Sequence, residues 1–171
     1  MDIAAAIGLT ETQTPQHIIL VRLLIAAGLG ALIGFEREVH ADAAGLRTHI
    51  LIAVAACLFT VLTFEIFHMS DVQGAGNADP IRAVEAVTAG IAFLGAGAIF
   101  QLRGSVKGLT TGAGMWLAGA VGVATALGYY LIAGAVTAMA LVVLLALRVF
   151  VAKALRTKPD KGEPLDREPR P

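Results

Sequence analysis

Five apolar stretches dominate the sequence, at 18–35, 50–67, 83–102, 109–127 and 129–151. Each approaches the roughly 20 residues that carry a helix across a hydrocarbon core of about 30 Å. Backbone groups in lipid must pair within one segment or within a closed barrel, and none of these runs alternates with the period-2 pattern of a barrel strand. The sequence therefore predicts an all-α membrane protein, a bundle of five transmembrane helices. Composition agrees, since 57% of the 171 residues are hydrophobic and 15% charged, against about 25% charged in soluble domains.

The connections refine this outline. Only Gly128 separates the fourth run from the fifth, which reads as a tight helical hairpin. The segment 68–81 is rich in Gly, Asp and Asn with one Pro, as expected of a surface connection. Residues 1–17 contain Asp2 and Glu11 but no Lys or Arg, so they lack the basic start of a cleaved signal peptide and form an extracytoplasmic arm. One membrane domain spans 18–151, and the proline-punctuated, charged tail 152–171 is expected to be disordered.

Orientation follows from the basic residues, because short loops rich in Lys and Arg stay in the cytoplasm. The loop after the first run holds Arg37 and Arg47, and the loop after the third holds Arg103 and Lys107. The tail adds Lys153, Arg156, Lys158, Lys161, Arg167 and Arg170. On the opposite side stands only Arg82, so the amino terminus is predicted outside and the carboxyl terminus inside.

Helices in lipid associate through small residues that let backbones approach. Gly114, Ala118, Gly122 and Ala126 recur every four residues on the fourth helix, and Gly30 with Gly34 forms GxxxG on the first. These six residues are candidates for packing within the bundle, or for a face that meets a second copy or another membrane protein. An ionisable side chain inside the bilayer is a functional hypothesis by default. Arg22, Glu65, Arg82 and Glu85 fall near the outer leaflet in this topology, which suggests a cluster of ion pairs there. Thr60, Thr63, Thr125 and Thr137 are expected to bond their own helix backbone.

The inner loops are dense in function-bearing residue types. Between the first two helices runs GFEREVHADAAGLRTHI, and RGSVKGLTTGAGMW leads into the fourth. Thr110 or Thr111 is a candidate N-cap for that helix. The segment lacks GxxxxGK[ST], so it is not a nucleotide-binding P-loop. His40 and His49, nine apart with Asp42 between them, do not match a recurrent zinc spacing, and His17 and His68 lie on the other side. The lone Cys57 offers no disulfide partner within the chain. The expectation is a protein that is not an enzyme, with no cofactor and no nucleic-acid partner.

Four motifs give a closer resemblance. LGALIGFERE (29–38), AGLRTHIL (44–51), GIAFLGAGAI (90–99) and VKGLTTGAGMW (106–116) resemble, in order and spacing, the signatures of the bacterial MgtC/SapB membrane proteins. By that resemblance Glu36, Arg37, Gly45, Leu46, Arg47 and Thr48 are motif positions in the first loop. Arg82, Gly90, Phe93, Leu94, Gly95, Gly97, Gly108, Leu109, Thr111 and Trp116 are motif positions in the second signature. Ala92 stands where the family usually has Gly, and Glu85 where Gln is common. The resemblance implies a short form without the cytoplasmic ACT-like domain that many members carry. It also implies a multi-pass protein of the bacterial inner membrane, associated with adaptation to low magnesium and with intracellular survival. Its implied partners are membrane machinery such as the F-type ATP synthase or P-type ATPases, whose activity and membrane potential it would modulate. The alternative is an ion transporter, for Mg²⁺ or another ion, acting as an oligomer. Mg²⁺ sheds its water reluctantly and wants several oxygen ligands, and the sequence puts no acidic cluster at mid-membrane.

Overall fold

The computed structural model describes residues 12–40, 43–72, 79–102 and 105–156. Among the described residues five helices follow one another: α1 (Gln16–Val39), α2 (Leu46–Val72), α3 (Pro80–Gly97), α4 (Leu109–Ala126) and α5 (Tyr130–Arg156). Between α3 and α4 lies a short antiparallel hairpin of β1 (Phe100–Leu102) and β2 (Ser105–Lys107), with Phe100 opposite Lys107.

Local chemistry sets several of the boundaries. Pro15 cannot donate, but its carbonyl accepts from Ile18 and Ile19 and so opens α1. The Asp79 carboxylate accepts the Ile81 N–H at 2.9 Å, and Pro80 takes the first helical position of α3, where its missing N–H costs nothing. The α4–α5 corner is a Schellman turn. Gly128 N–H bonds Thr125 O and Tyr129 N–H bonds Ala124 O, with Gly128 at φ 81°, a conformation that glycine adopts without strain.

Three helices form the centre. α2 packs against both α1 and α4, which also touch each other; α3 flanks α2 and α4, and α5 flanks α1 and α4. The same three central helices carry segments long and apolar enough to cross a membrane: Gln16–Val39, Leu46–Ser70 and Leu109–Ala126. Close approach depends on small residues. A Cβ on Gly30 would sit 2.8 Å from His49 O, one on Gly34 would sit 2.8 Å from Leu46 Cα, and one on Gly122 would strike Ala53 O. Ile33, Ile52, Met115, Ala118 and Val121 fill the space between these crossings.

Several expected boundaries move. α1 runs past 35 to Val39 and α2 begins at Leu46 rather than 50, so Glu36, Arg37, Arg47, Thr48 and His49 are helical rather than loop residues. Charge misled here, because a helix end can bury polar groups against its neighbours. The third run does not stay helical to 102. It ends at Gly97, where the N–H of Ala98 closes the last turn, and residues 100–102 become a strand. The chain then returns across itself at Gly108, whose φ is 87° and whose Cβ would strike Ala98 O. α5 reaches Arg156, five residues past the expected end, while 157–171 of the predicted tail and 1–11 of the arm lie outside the described residues.

Candidate functional site

A cluster of buried polar side chains occupies the end of the bundle where α1 finishes, α2 starts and α4 starts. Because α1 extends through its last turn, Glu36 and Arg37 are both carried into the protein and are almost wholly buried. The basic side chain there complements the negative end of the helix dipole. Arg37 Nη1 lies 3.7 Å from Glu36 Oε2, and Nη2 donates to Thr111 Oγ1 at 3.4 Å, a long hydrogen bond between α1 and the first turn of α4. His40 Nδ1 stands 2.7 Å from Glu36 O and 3.4 Å from Glu36 Oε1.

Across from this pair, α2 is positioned by Glu38 and Gly45. Glu38 Oε2 accepts the Leu46 N–H at 3.0 Å, satisfying a free donor at the start of α2 and placing an anion at its positive end. A Cβ on Gly45 would strike that carboxylate oxygen. One turn on, His49 is fully buried, and its Nδ1 lies 2.8 Å from Gly45 O. A carbonyl only accepts, so Nδ1 carries the hydrogen. Nε2 then points toward Gly114, where an added Cβ would come within 3.1 Å, and it has no hydrogen-bond partner among the described residues.

Charges out of water persist where they are paired and hydrogen-bonded. The arrangement therefore works as a latch: Arg37 ties α1 to α4, and Glu38 ties the end of α1 to the start of α2. Among the described residues no group of three or more His, Cys, Asp or Glu is placed to hold a metal ion.

The other expected site residues are placed differently from one another. Gly114, Ala118, Gly122 and Ala126 are buried, with Gly114 and Gly122 facing His49 and Ala53 of α2, so that stripe is occupied inside the bundle. Gly30 and Gly34 likewise face α2. Among the described residues no salt bridge joins Arg22, Glu65, Arg82 and Glu85. Arg22 Nη1 donates to Ala126 O at 2.6 Å, and the two oxygens of Glu65 accept N–H groups of Gln13 and Thr14 at 2.7 and 2.9 Å. Arg82 and Glu85 are both exposed on α3. For Arg22 and Glu65, backbone groups took the place of the side-chain partners that depth alone suggested.

Thr111 is not an N-cap, because Gly108 holds that position and the Thr111 hydroxyl meets Arg37. Of the second signature, Gly95 is buried at a crossing where a Cβ would lie 3.3 Å from Gly112 O. Gly90, Phe93, Leu94, Gly97, Leu109 and Trp116 are exposed on the bundle surface. Arg47 is also exposed, with Leu46 and Thr48 half-buried. Thr60, Thr63, Thr125 and Thr137 bond carbonyls four residues back, as expected. Sequence reasoning weighed His49 only as a metal-ligand candidate and not as a buried residue of the latch. Its signal was periodic: 49, 53, 56, 57 and 60 fall on the buried face of α2.

A short bundle of apolar helices, latched at one end by buried charge, defines a multi-pass helical membrane protein. The chain belongs to the MgtC family, whose model matches residues 23–153. It is 36% identical over 137 residues to an uncharacterized protein of Haemophilus influenzae, covering 78% of this chain and 58% of that one. To Protein MgtC of Brucella abortus it is 43% identical over 95 residues, 56% of this chain and 37% of the relative. To Protein SapB of Bacillus subtilis it is 37% identical over 113 residues, 66% of this chain and 49% of the relative. The chain thus spans about half the length of the curated relatives it matches. No solved structure matches it at a significant level.

Proposed function

We propose that the protein is a non-enzymatic modulator of membrane machinery in the bacterial inner membrane, serving adaptation to low magnesium and intracellular survival. Its partner is another membrane protein, an F-type ATP synthase or a P-type ATPase. In this reading all five helices cross the bilayer, with the amino terminus outside and the latched end facing the cytoplasm. The observation that carries it is the link from Arg37 to Thr111, which joins the end of α1 to the start of α4. Arg47, in the first turn of α2, and Lys107, at the end of β2, are exposed and offer a basic surface to a partner. Inside the bundle, the hydroxyls of Thr60, Thr125 and Thr137 are turned back onto their own helices, which favours a scaffold over a polar path for an ion.

The test is proton pumping by ATP synthase vesicles with and without the purified protein, beside Mg²⁺ flux into vesicles that hold this protein alone. Altered pumping, diminished by reversing Arg47 and Lys107 to Glu, is the expected result. Saturable Mg²⁺ flux with unaltered pumping overturns it.

A further inference from the structure

We propose that the opposite end of the bundle, around Arg22, binds the phosphate of an anionic phospholipid. The inference rests on the membrane placement of the bundle and not on the modulator reading. A cavity of about 320 Å³ opens there between α1, α2, the end of α4 and the segment that precedes α1. Arg22 lies in its wall, half-buried, with Nη1 on the Ala126 carbonyl at the end of α4.

That contact leaves the guanidinium with net positive character. A helix end carries roughly half an elementary charge and the guanidinium a full one. Nε is buried without a hydrogen-bond partner among the described residues, although a guanidinium has five N–H groups to satisfy. Glu65 makes no salt bridge to Arg22 among the described residues; its two oxygens accept the N–H groups of Gln13 and Thr14. These contacts fix the preceding segment as the outer wall of the cavity. Gln13 and His68 add nitrogen-bearing side chains to the lining.

The remaining walls decide the kind of anion. Val61, Phe64, Phe67 and Leu127 are apolar, so the cavity suits a ligand that joins a phosphate to hydrocarbon. Arginine matches phosphate oxygens through paired N–H groups. A phospholipid offers both parts, whereas inorganic phosphate would leave the apolar walls unused.

Native mass spectrometry of the full chain, purified and exchanged into detergent with phosphatidylglycerol, reads this directly. Wild type should retain the lipid, and Arg22→Gln should lower retention about tenfold, the loss expected for one charged hydrogen bond. Leu127→Trp fills the cavity while leaving Arg22 and Ala126 in place, and it should lower retention comparably with the helical circular dichroism unchanged. It decides the matter if Arg22→Gln fails to fold. Wild-type retention in Leu127→Trp overturns the proposal. Displacement of the lipid by inorganic phosphate at matched concentration also overturns it, in favour of a free-anion site.

Discussion

The Arg37 guanidinium meets the Thr111 hydroxyl across the α1–α4 interface, with both side chains buried and Nη2 3.4 Å from Oγ1. Thr111→Val keeps the shape and removes the acceptor that Arg37 Nη2 meets. Such a loss costs about 1–3 kcal/mol. Thermal unfolding in detergent should therefore fall for Thr111→Val and recover for Thr111→Ser. Equal melting of all three proteins would mean that the contact contributes nothing.

Glycines divide into two groups by what surrounds them. Gly30 and Gly122 are pressed against backbone of α2, so Gly30→Ala and Gly122→Ala should each destabilise by about 1–3 kcal/mol, the usual cost of overpacking. Gly90 and Gly97 have nothing within 4 Å of an added Cβ. Gly90 lines an open apolar groove of about 520 Å³ between α2 and α3. Gly90→Ala and Gly97→Ala should be neutral, or stabilising by up to about 1 kcal/mol through helix propensity. Melting temperatures of the four variants check the split, and a destabilised Gly97→Ala would show that α3 packs against something more.

How far the sequence revealed this structure depended on what the signal encoded. Apolar length revealed five helices, and the spacing of Gly114, Ala118, Gly122 and Ala126 revealed a close-packed face. Charge marked helix ends poorly, because Glu36, Arg37 and His49 look like loop residues until their positions on buried helix faces are seen. The strand pair around Phe100 and Lys107 was too short to carry a pattern. Arg22 and Glu65 were legible as membrane-depth charges, but their partners are backbone groups of Ala126, Gln13 and Thr14, which no residue-type rule predicts.

Glu65 holds the segment before α1 by two bonds, one to each oxygen. A glutamine side chain has one oxygen acceptor, so Glu65→Gln should release one of the two amides and Glu65→Ala both. Hydrogen exchange at Gln13 and Thr14 should accelerate in that order, by about tenfold or more per lost charged bond. Unchanged exchange in Glu65→Ala would show that the segment is held by other contacts.

The proposed orientation can be read with the protein's own cysteine left in place. Cys57 is fully buried on α2, so it should react slowly with a membrane-impermeant maleimide and serve as a silent background. Met69, 57% exposed toward the far end of α2, and Val106, 53% exposed on the hairpin, lie at opposite ends of the bundle. With the amino terminus outside, Met69→Cys should label in intact right-side-out vesicles, while Val106→Cys should label only after permeabilisation. The reverse pattern would invert the bundle. The latch of Glu36, Arg37 and Thr111 would then face outward, away from the cytoplasmic parts of any partner, and the modulator reading would lose the surface on which it depends.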